Sequence, residues 1–444
     1  MFARVCLGLL LIAAIPAWSQ VEPSATEAPA IPEDDSVMQV PPPVSGEAYP
    51  IIVASEAQSN YLRGGVVFDT AYDDNVTTVN TRPVSDAIYT IWPTIELERS
   101  TWRQQESMTY SPGFTIYEPT SVLNNVDQLA DLNFKYRLTQ HATVSARDFL
   151  QKTSNVFNQP DPLSGGAVSG SPQPQVNAIL APFAERLLDV ANADLSYQFG
   201  RNDMAGGGGS FTELDYPNPA QATGLSNGNS RAGSAFLSHR LFHNQYTGLT
   251  YQYIGGQANS IKDPSKTQTQ TLYPFYTVYF ERAFSLSLSG GPQHFEATQT
   301  GEQPRSGWTP AAMASIGWQR THTNFEASYS RSVSNVEGLA GAFDSNSAGA
   351  SARWQMGRTW VVGANASYSI NKSVTPLFVD SIPGGHGISG TVLVQHSISE
   401  HFSAKLGYSR LHQSYNGIPA AVLAPDTSRE FFLISYQFRR PLGR

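Results

Sequence analysis

The sequence predicts an all-β protein, a transmembrane antiparallel up-and-down β-barrel of about 18 strands (16–18) with both termini periplasmic. Three observations predict it. From about Arg63 onward, apolar and polar residues alternate with period two, as in strands with one greasy and one wet face. Short and long connections alternate along the same stretch, as tight turns and long outer loops do around a membrane barrel. The C-terminal run Glu430 to Phe438 places Ile434, Tyr436 and Phe438 on one face and Leu433, Ser435, Gln437 and Arg439 on the other. An apolar, aromatic-ending last strand is how an outer-membrane barrel closes, and these three residues are the predicted C-terminal insertion signal.

The start of the chain reads as an export signal. Arg4 supplies a positive n-region, and Leu7 to Ile15 is an apolar run too short for a comfortable membrane-spanning helix. Ala17-Trp18-Ser19 offers small residues for cleavage before Gln20, so residues 1–19 are the predicted signal peptide. Cys6, the single cysteine, lies inside it. The mature chain then has no thiol, which excludes disulfides, thiolate metal sites and cysteine nucleophiles together. Residues 20–60 form an acidic, proline-rich periplasmic tail containing Glu33-Asp34-Asp35 and Pro41-Pro42-Pro43. Its composition predicts disorder. Two sharper readings stay open for it, a docking arm for a periplasmic partner and a plug for the lumen. Residues 61–444 are the predicted outer-membrane barrel.

Charge is scarce, at 14% of 444 residues, against roughly a quarter in soluble domains. No apolar run after the signal approaches the ~20 residues of a transmembrane helix, so a helical membrane protein is excluded. The 20 Tyr and 22 Phe suit the aromatic girdles of a barrel. A net charge of -8 argues against nucleic acid as a partner.

The alternation is explicit strand by strand. Met108, Tyr110, Pro112, Phe114 and Ile116 oppose Ser107, Thr109, Ser111, Gly113 and Thr115. Ala130, Leu132, Phe134, Tyr136 and Leu138 oppose Asp131, Asn133, Lys135 and Arg137, and Phe284, Leu286 and Leu288 oppose Ser285, Ser287 and Ser289. Trp360 to Ile370 alternates likewise. Short turns fall at Ser100-Thr101, Thr139-Gln140, Arg201-Asn202, Phe242-His243, Ala283, Arg320-Thr321, Gly357-Arg358 and Glu400. Longer connections separate them, the longest being Ser154 to Arg186. Its prolines and glycines fit a loop folded inward to narrow the channel and an ordinary exposed loop equally well. Alternation is weakest at Gly206 to Gly209 and around Ala232 to Leu241.

A barrel of ~16–18 strands leaves an aqueous channel. Parity places Asp69, Glu96, Glu98, Asp131, Lys135, Arg137, Arg147, Asp194, Glu326, Arg353 and Lys405 on its inner face as candidate pore-lining residues. A charge facing lipid at the bilayer centre costs ~2–4 kcal/mol, which is why parity is informative for them. Trp92, Tyr117, Tyr273 and Tyr279 also fall inward by parity.

The first strand and its exit, Gly64 to Val76, precede Ser85-Asp86 and the strand Tyr89 to Leu97 with Pro93 inside it. With Tyr110-Ser111-Pro112-Gly113-Phe114 and Tyr136-Arg137-Leu138-Thr139, this resembles the β-barrel porin families of Gram-negative bacteria. The resemblance covers the barrel, not the proline-rich tail. It implies an outer-membrane pore, and some such families resemble barrels of exopolysaccharide systems. One departure is that Arg439-Arg440-Pro441-Leu442-Gly443-Arg444 follows Phe438, where the insertion signal usually ends on the aromatic. Asp73-Asp74-Asn75 reads either as a turn capping its own backbone or as a divalent-cation site at the rim.

Nothing points to an enzyme. The nine histidines have no spacing of a metal pair or triad, and His141, His243, His322 and His401 fall at or beside short turns. Gly206-Gly207-Gly208-Gly209 lacks the Lys and Ser/Thr of a phosphate-binding loop. No cofactor or metal is expected. The predicted partners are outer-membrane lipid, the barrel-assembly machinery, and small hydrophilic solutes or a polysaccharide. The functional readings are a passive diffusion channel, an exopolysaccharide export conduit with an inner aromatic track, and a closed structural or adhesive barrel. If the export reading holds, N-terminal sequencing of the protein from cell envelopes will begin at Gln20; a chain retaining Cys6 rejects it.

Overall fold

Eighteen antiparallel strands form one sheet that closes on itself in the computed structural model. They are β1 (Ser59–Asp73), β2 (Asp86–Ser100), β3 (Gln104–Tyr117), β4 (Asn125–Arg137), β5 (Ala142–Thr153) and β6 (Arg186–Gln198). Then come β7 (Asp203–Asp215), β8 (Asn227–Phe242), β9 (Gln245–Asn259), β10 (Ser265–Phe280), β11 (Phe284–Gln299) and β12 (Arg305–Arg320). The last six are β13 (Thr323–Ser334), β14 (Phe343–Met356), β15 (Trp360–Ser373), β16 (Gly384–Ser397), β17 (Phe402–Asn416) and β18 (Asp426–Pro441). Among the described residues a single 3₁₀ turn, Ser121–Leu123, interrupts the β pattern. The structure describes residues 59–77, 82–153, 184–218, 225–259, 264–280, 283–301, 303–334, 341–374, 384–416 and 426–441, with 38, 40, 41, 155, 157, 222, 338 and 339.

Each strand pairs with its neighbours in sequence, and β18 returns to pair with β1 from Tyr61↔Pro441 to Asp73↔Arg429. Turns of two to four residues join the strands at one rim, where β1 begins and β18 ends; the connections at the other rim are longer. The sequence therefore located both the strands and the alternation of connections. The glycine run Gly206 to Gly209, where alternation blurs, is continuous strand, paired to β6 and β8 along its length.

Side-chain parity produces the expected inversion of polarity. Val66, Phe68, Ile91, Ile95, Met108, Phe114, Leu132 and Leu249 stand exposed on the outer face. Aromatic residues ring its two edges. The short-turn rim has Phe280 against Phe284 at 5.5 Å, Trp318, Trp354, Trp360, and Phe402 against Tyr436 at 4.9 Å. The opposite rim has Tyr72, Tyr89, Trp308, Tyr329, Tyr368 and Tyr408. Such a belt suits lipid between two interfaces. Over β5–β7 it is interrupted by Asp148, Asp189 and Glu213, which parity turns outward.

The β1–β18 seam has side-chain clasps on its inner face and at the long-loop rim. Arg429 is buried and donates to Asp69 at 3.0 Å. Thr427 donates its hydroxyl to Asp73 at 2.6 Å, and the Ser428 N–H donates to the Asp74 carboxylate at 2.7 Å. The Asp73 carboxylate also accepts the Asn75 N–H at 2.9 Å, the turn-capping arrangement of an Asx turn. At the other end, Ile434, Tyr436 and Phe438 face outward. Gly64 lies opposite Phe438, and a Cβ there would overlap the phenyl ring. The residues after Phe438 continue the strand: Arg439 stacks its guanidinium 3.5 Å from the centre of the Tyr61 ring. Because removing one partner of a buried pair costs about 3–5 kcal/mol, Arg429→Met is expected to lower the unfolding midpoint of the detergent-solubilised barrel markedly. The double variant with Asp69→Asn is expected to recover part of the loss, and additive effects would reject the clasp.

Candidate functional site

The inner wall is the candidate site, and its chemistry is distributed unevenly. The pairing registers turn all eleven sequence-predicted residues, Asp69, Glu96, Glu98, Asp131, Lys135, Arg137, Arg147, Asp194, Glu326, Arg353 and Lys405, to the inner face. Most belong to β1–β6 and β17. Several are consumed in ion pairs along the wall. Arg147 forks onto Asp131 with two bonds of 3.0 Å. Arg63 reaches Glu98 at 2.7 Å and Glu96 at 3.8 Å. Lys405 is 1% exposed. Lys135, Arg137, Asp194 and Arg353 are exposed toward the lumen, and Glu326 is partly so.

Arg63 and Arg429 were not singled out from sequence, although parity with Asp69 and Leu433 marks both as inward. The fork of Arg147 onto Asp131 needed the β4–β5 register, which pairs Asn133 with Arg147 and sets the two charges diagonally.

The inner faces of β9, β10 and β11 have no charged side chain by parity; β10 presents Thr267, Thr269, Thr271 and Thr277. Hydroxyls pair across strands on this wall and around to the seam: Thr277 with Ser287 at 2.8 Å, Ser330 with Ser347 at 2.6 Å, Thr391 with Ser409 at 2.9 Å and Ser403 with Ser435 at 2.7 Å. Such pairs satisfy one another in the sheet and leave a polar, uncharged surface.

The inward aromatics differ from an open track. Trp92, Tyr117 and Tyr273 are each 4% exposed. The Trp92 ring lies over Gly113, where a Cβ would overlap it. Tyr117 packs with Ala71, Val76 and Ile88 at the long-loop rim. Parity set their direction; packing against the wall and its connections removed their faces from the lumen.

Two chain segments enter the lumen. Above the Ala312↔Arg331 pair, β13 leaves β12 while staying paired with β14 up to Ser334↔Phe343. Gln293, on the inner face of β11, grips the departing strand. Its amide accepts the Val333 N–H at 2.7 Å and donates to the Val333 carbonyl at 3.1 Å. The following connection straps the inside of the mouth. The Gly341 N–H donates to the Ser265 hydroxyl at 2.8 Å, and the Gly338 carbonyl accepts from the Ser226 N–H at 3.0 Å. Gly338 and Gly341 have φ of 83° and 103°, a region that favours glycine. Leu339, Ala342 and Phe343 are buried. The inward strap is thus the β13–β14 connection; most of Ser154 to Arg186 lies outside the described residues. The second segment holds Met38 and Val40, seated on β6–β10 near the short-turn rim.

Among the described residues no cluster of three or more His, Cys, Asp or Glu is arranged to hold a metal ion. One carboxylate oxygen each of Asp73 and Asp74 is engaged in the seam.

Comparison with known proteins finds no matching family and no matching curated protein. Among solved structures, the chain is similar to the ferric citrate transporter FecA, with TM-score 0.44, 11% identity, 81% of this chain and 60% of that chain covered. It is similar to Pseudomonas aeruginosa OpdK with TM-score 0.41 and 8% identity, covering 85% and 99%. Acinetobacter baumannii OccAB4 gives TM-score 0.41 and 10% identity, covering 87% and 100%. The chain therefore spans three fifths of the transporter's length and nearly all of the other two.

Loss of the Gln293 amide strips two bonds from the strap, each worth about 0.5–1.5 kcal/mol. Gln293→Ala is expected to speed protease cleavage within 335–342 while the barrel remains folded; an unchanged cleavage rate rejects the grip.

Proposed function

We propose that this chain is an outer-membrane channel for passive diffusion of small hydrophilic solutes in a Gram-negative bacterium. It is exported by its N-terminal signal and placed with its termini and short turns in the periplasm. One observation carries the reading: the wall is apolar outside and polar inside, with Lys135, Arg137, Asp194 and Arg353 exposed to the lumen. A barrel of ~16–18 strands has room for water within. The ion pairs on β1–β5 fix charge of both signs to one side of the bore, while β9–β11 offer only hydroxyls, amides and apolar groups. A solute with polar, hydrogen-bonding groups then exchanges its water for wall contacts on either side. The burial of Trp92, Tyr117 and Tyr273 disfavours a polysaccharide track.

Reconstitution into planar bilayers tests this: discrete, steady open currents are expected, and a barrel that inserts without current rejects it. Removing two lumen cations with Lys135→Glu and Arg137→Glu is expected to shift the reversal potential in a salt gradient toward cation preference. An unmoved potential would take these residues off the solute path.

A further inference from the structure

The β12–β13 ladder stops partway up the wall, and a proline accounts for it. β12 spans Arg305–Arg320, yet among the described residues its last pair with β13 is Ala312↔Arg331. Backbone groups turn to alternate sides along a strand. The Gln319 N–H donates to the Ala283 carbonyl on the β11 side, so even-numbered residues of β12 turn theirs toward β13. Two residues beyond Ala312 that place falls to Pro310, which has no N–H to give. Continuing the register would set Val333 against it. Val333 instead has its N–H and its carbonyl bonded to the Gln293 side chain of β11, at 2.7 and 3.1 Å.

The same shortage extends sideways. The β10–β11 register is broken between Thr271↔Gln293 and Phe275↔Ser289. Tyr279 donates toward β9 and Thr300 toward β10, so by the same alternation Pro274 and Pro292 both lack the donor on the edge they share. Pro292 lies opposite Pro310. Three neighbouring strands therefore miss ladder bonds at one level of the wall, just below the long-loop rim.

Above that level the wall overlaps itself. Phe295 and Ala297, on the inner face of β11, pack on Val333 and Ala342, with Val374 against them. Arg305 of β12 donates to the Val374 carbonyl at 3.4 Å, beyond the end of β15. The β13–β14 edge is thus tucked inside the β11–β12 edge. What closes the wall here is an apolar contact and one side-chain amide, where other strand pairs have a backbone ladder.

The split opens at the aromatic belt. Trp308 is 71% exposed on the outer face of β12, with the His294 ring 5.0 Å away. On the lipid side a groove of about 430 Å³, lined by Pro274, Tyr276, Leu288, Ala312 and Tyr329, reaches the last paired residue below the split. On the lumen side stands the hydroxyl wall of β10. An apolar groove outside and a polar wall inside, joined at the membrane–water boundary, suit a molecule with a hydrocarbon tail and a polar head.

We propose that the β12–β13 split is a lateral portal, through which amphipathic molecules with a hydrocarbon tail pass between the lumen and the membrane. This rests on the channel reading above and adds a second exit to it. In the portal's closed state Gln293 holds Val333 and Phe295 covers it. Opening parts these two contacts and leaves the paired lower half of β12 and β13 in place.

A reversible lock tests it. Phe295→Cys with Val333→Cys, in a chain carrying Cys6→Ala, places two thiols across the overlap. They are expected to oxidise to a disulfide, and failure to do so overturns the overlap. The probe is dansyl-labelled undecanoic acid, whose emission rises in hydrocarbon, added to Gram-negative cells expressing each chain. Cells with the wild-type chain are expected to take it up severalfold faster than cells without the chain. The disulfide is expected to abolish that gain, and dithiothreitol to restore it in the same variant. Gln293→Ala is expected to raise uptake severalfold. Both variants should keep the heat-sensitive gel mobility of a folded barrel and the wild-type ion conductance in planar bilayers. Uptake no faster than in cells without the chain, or equal with the lock closed and reduced, overturns the portal while the conductance leaves the channel standing. Absence of current from every variant, with uptake still governed by the lock, overturns the channel reading instead.

Discussion

A sheet in lipid has no water to satisfy its backbone, so closure is the constraint on which the rest of this structure depends. The β1–β18 pairing is the step that meets it. Until Tyr61 to Asp73 pair with Arg429 to Pro441, two edges of unpaired amides and carbonyls face hydrocarbon. The seam accordingly has side-chain support of several kinds. A buried guanidinium lies on Asp69, aspartates of the following turn hold β18, and a glycine admits Phe438 from outside. The same strand thus presents Ile434, Tyr436 and Phe438 on its outer face and the clasp on its inner face.

Once the cylinder is closed, period-two alternation has a single consequence: whatever is polar in the strands turns to the lumen. This produces a wall, and chain that leaves the wall lies against its inner face. At the long-loop rim, β13 departs from β12 and runs inside it, held by Gln293 and by glycines with positive φ. At the short-turn rim, Met38 is buried against Met204, Phe236 and Tyr246 on the inner wall. Both devices use the same physical means: a side-chain amide on the inner wall, Gln293 or Gln198, bonds the backbone of a segment that would otherwise lack partners there.

Much of this was legible in the amino acids. The strands and their short turns followed from alternation and from polar, flexible residues at the rims, because each strand must present one face to lipid along its full span. The inner charges followed from the same parity. What parity does not contain is distance. It oriented Trp92, Tyr117 and Tyr273 correctly but said nothing of the side chains and connections that bury them. Nor did it show that Arg63 bridges two glutamates on its neighbouring strand, a contact set by the β1–β2 register. For Asp73-Asp74-Asn75 the sequence left a capped turn and a cation site open, and the structure shows the capped turn, with one oxygen of each aspartate bonded to β18.

By itself, then, the sequence determined a closed antiparallel barrel of this size, which face of each strand meets lipid, and which charges turn inward. These are local properties, repeated every two residues and enforced by the large difference between hydrocarbon and water. Only the tertiary structure decided which segments lie against the inner wall. The strap from β13 to Ser265 and the contact of Met38 with Phe236 and Tyr246 join residues far apart in sequence, across a cylinder whose curvature brings one wall to face another. No periodicity records such contacts, because each is made once.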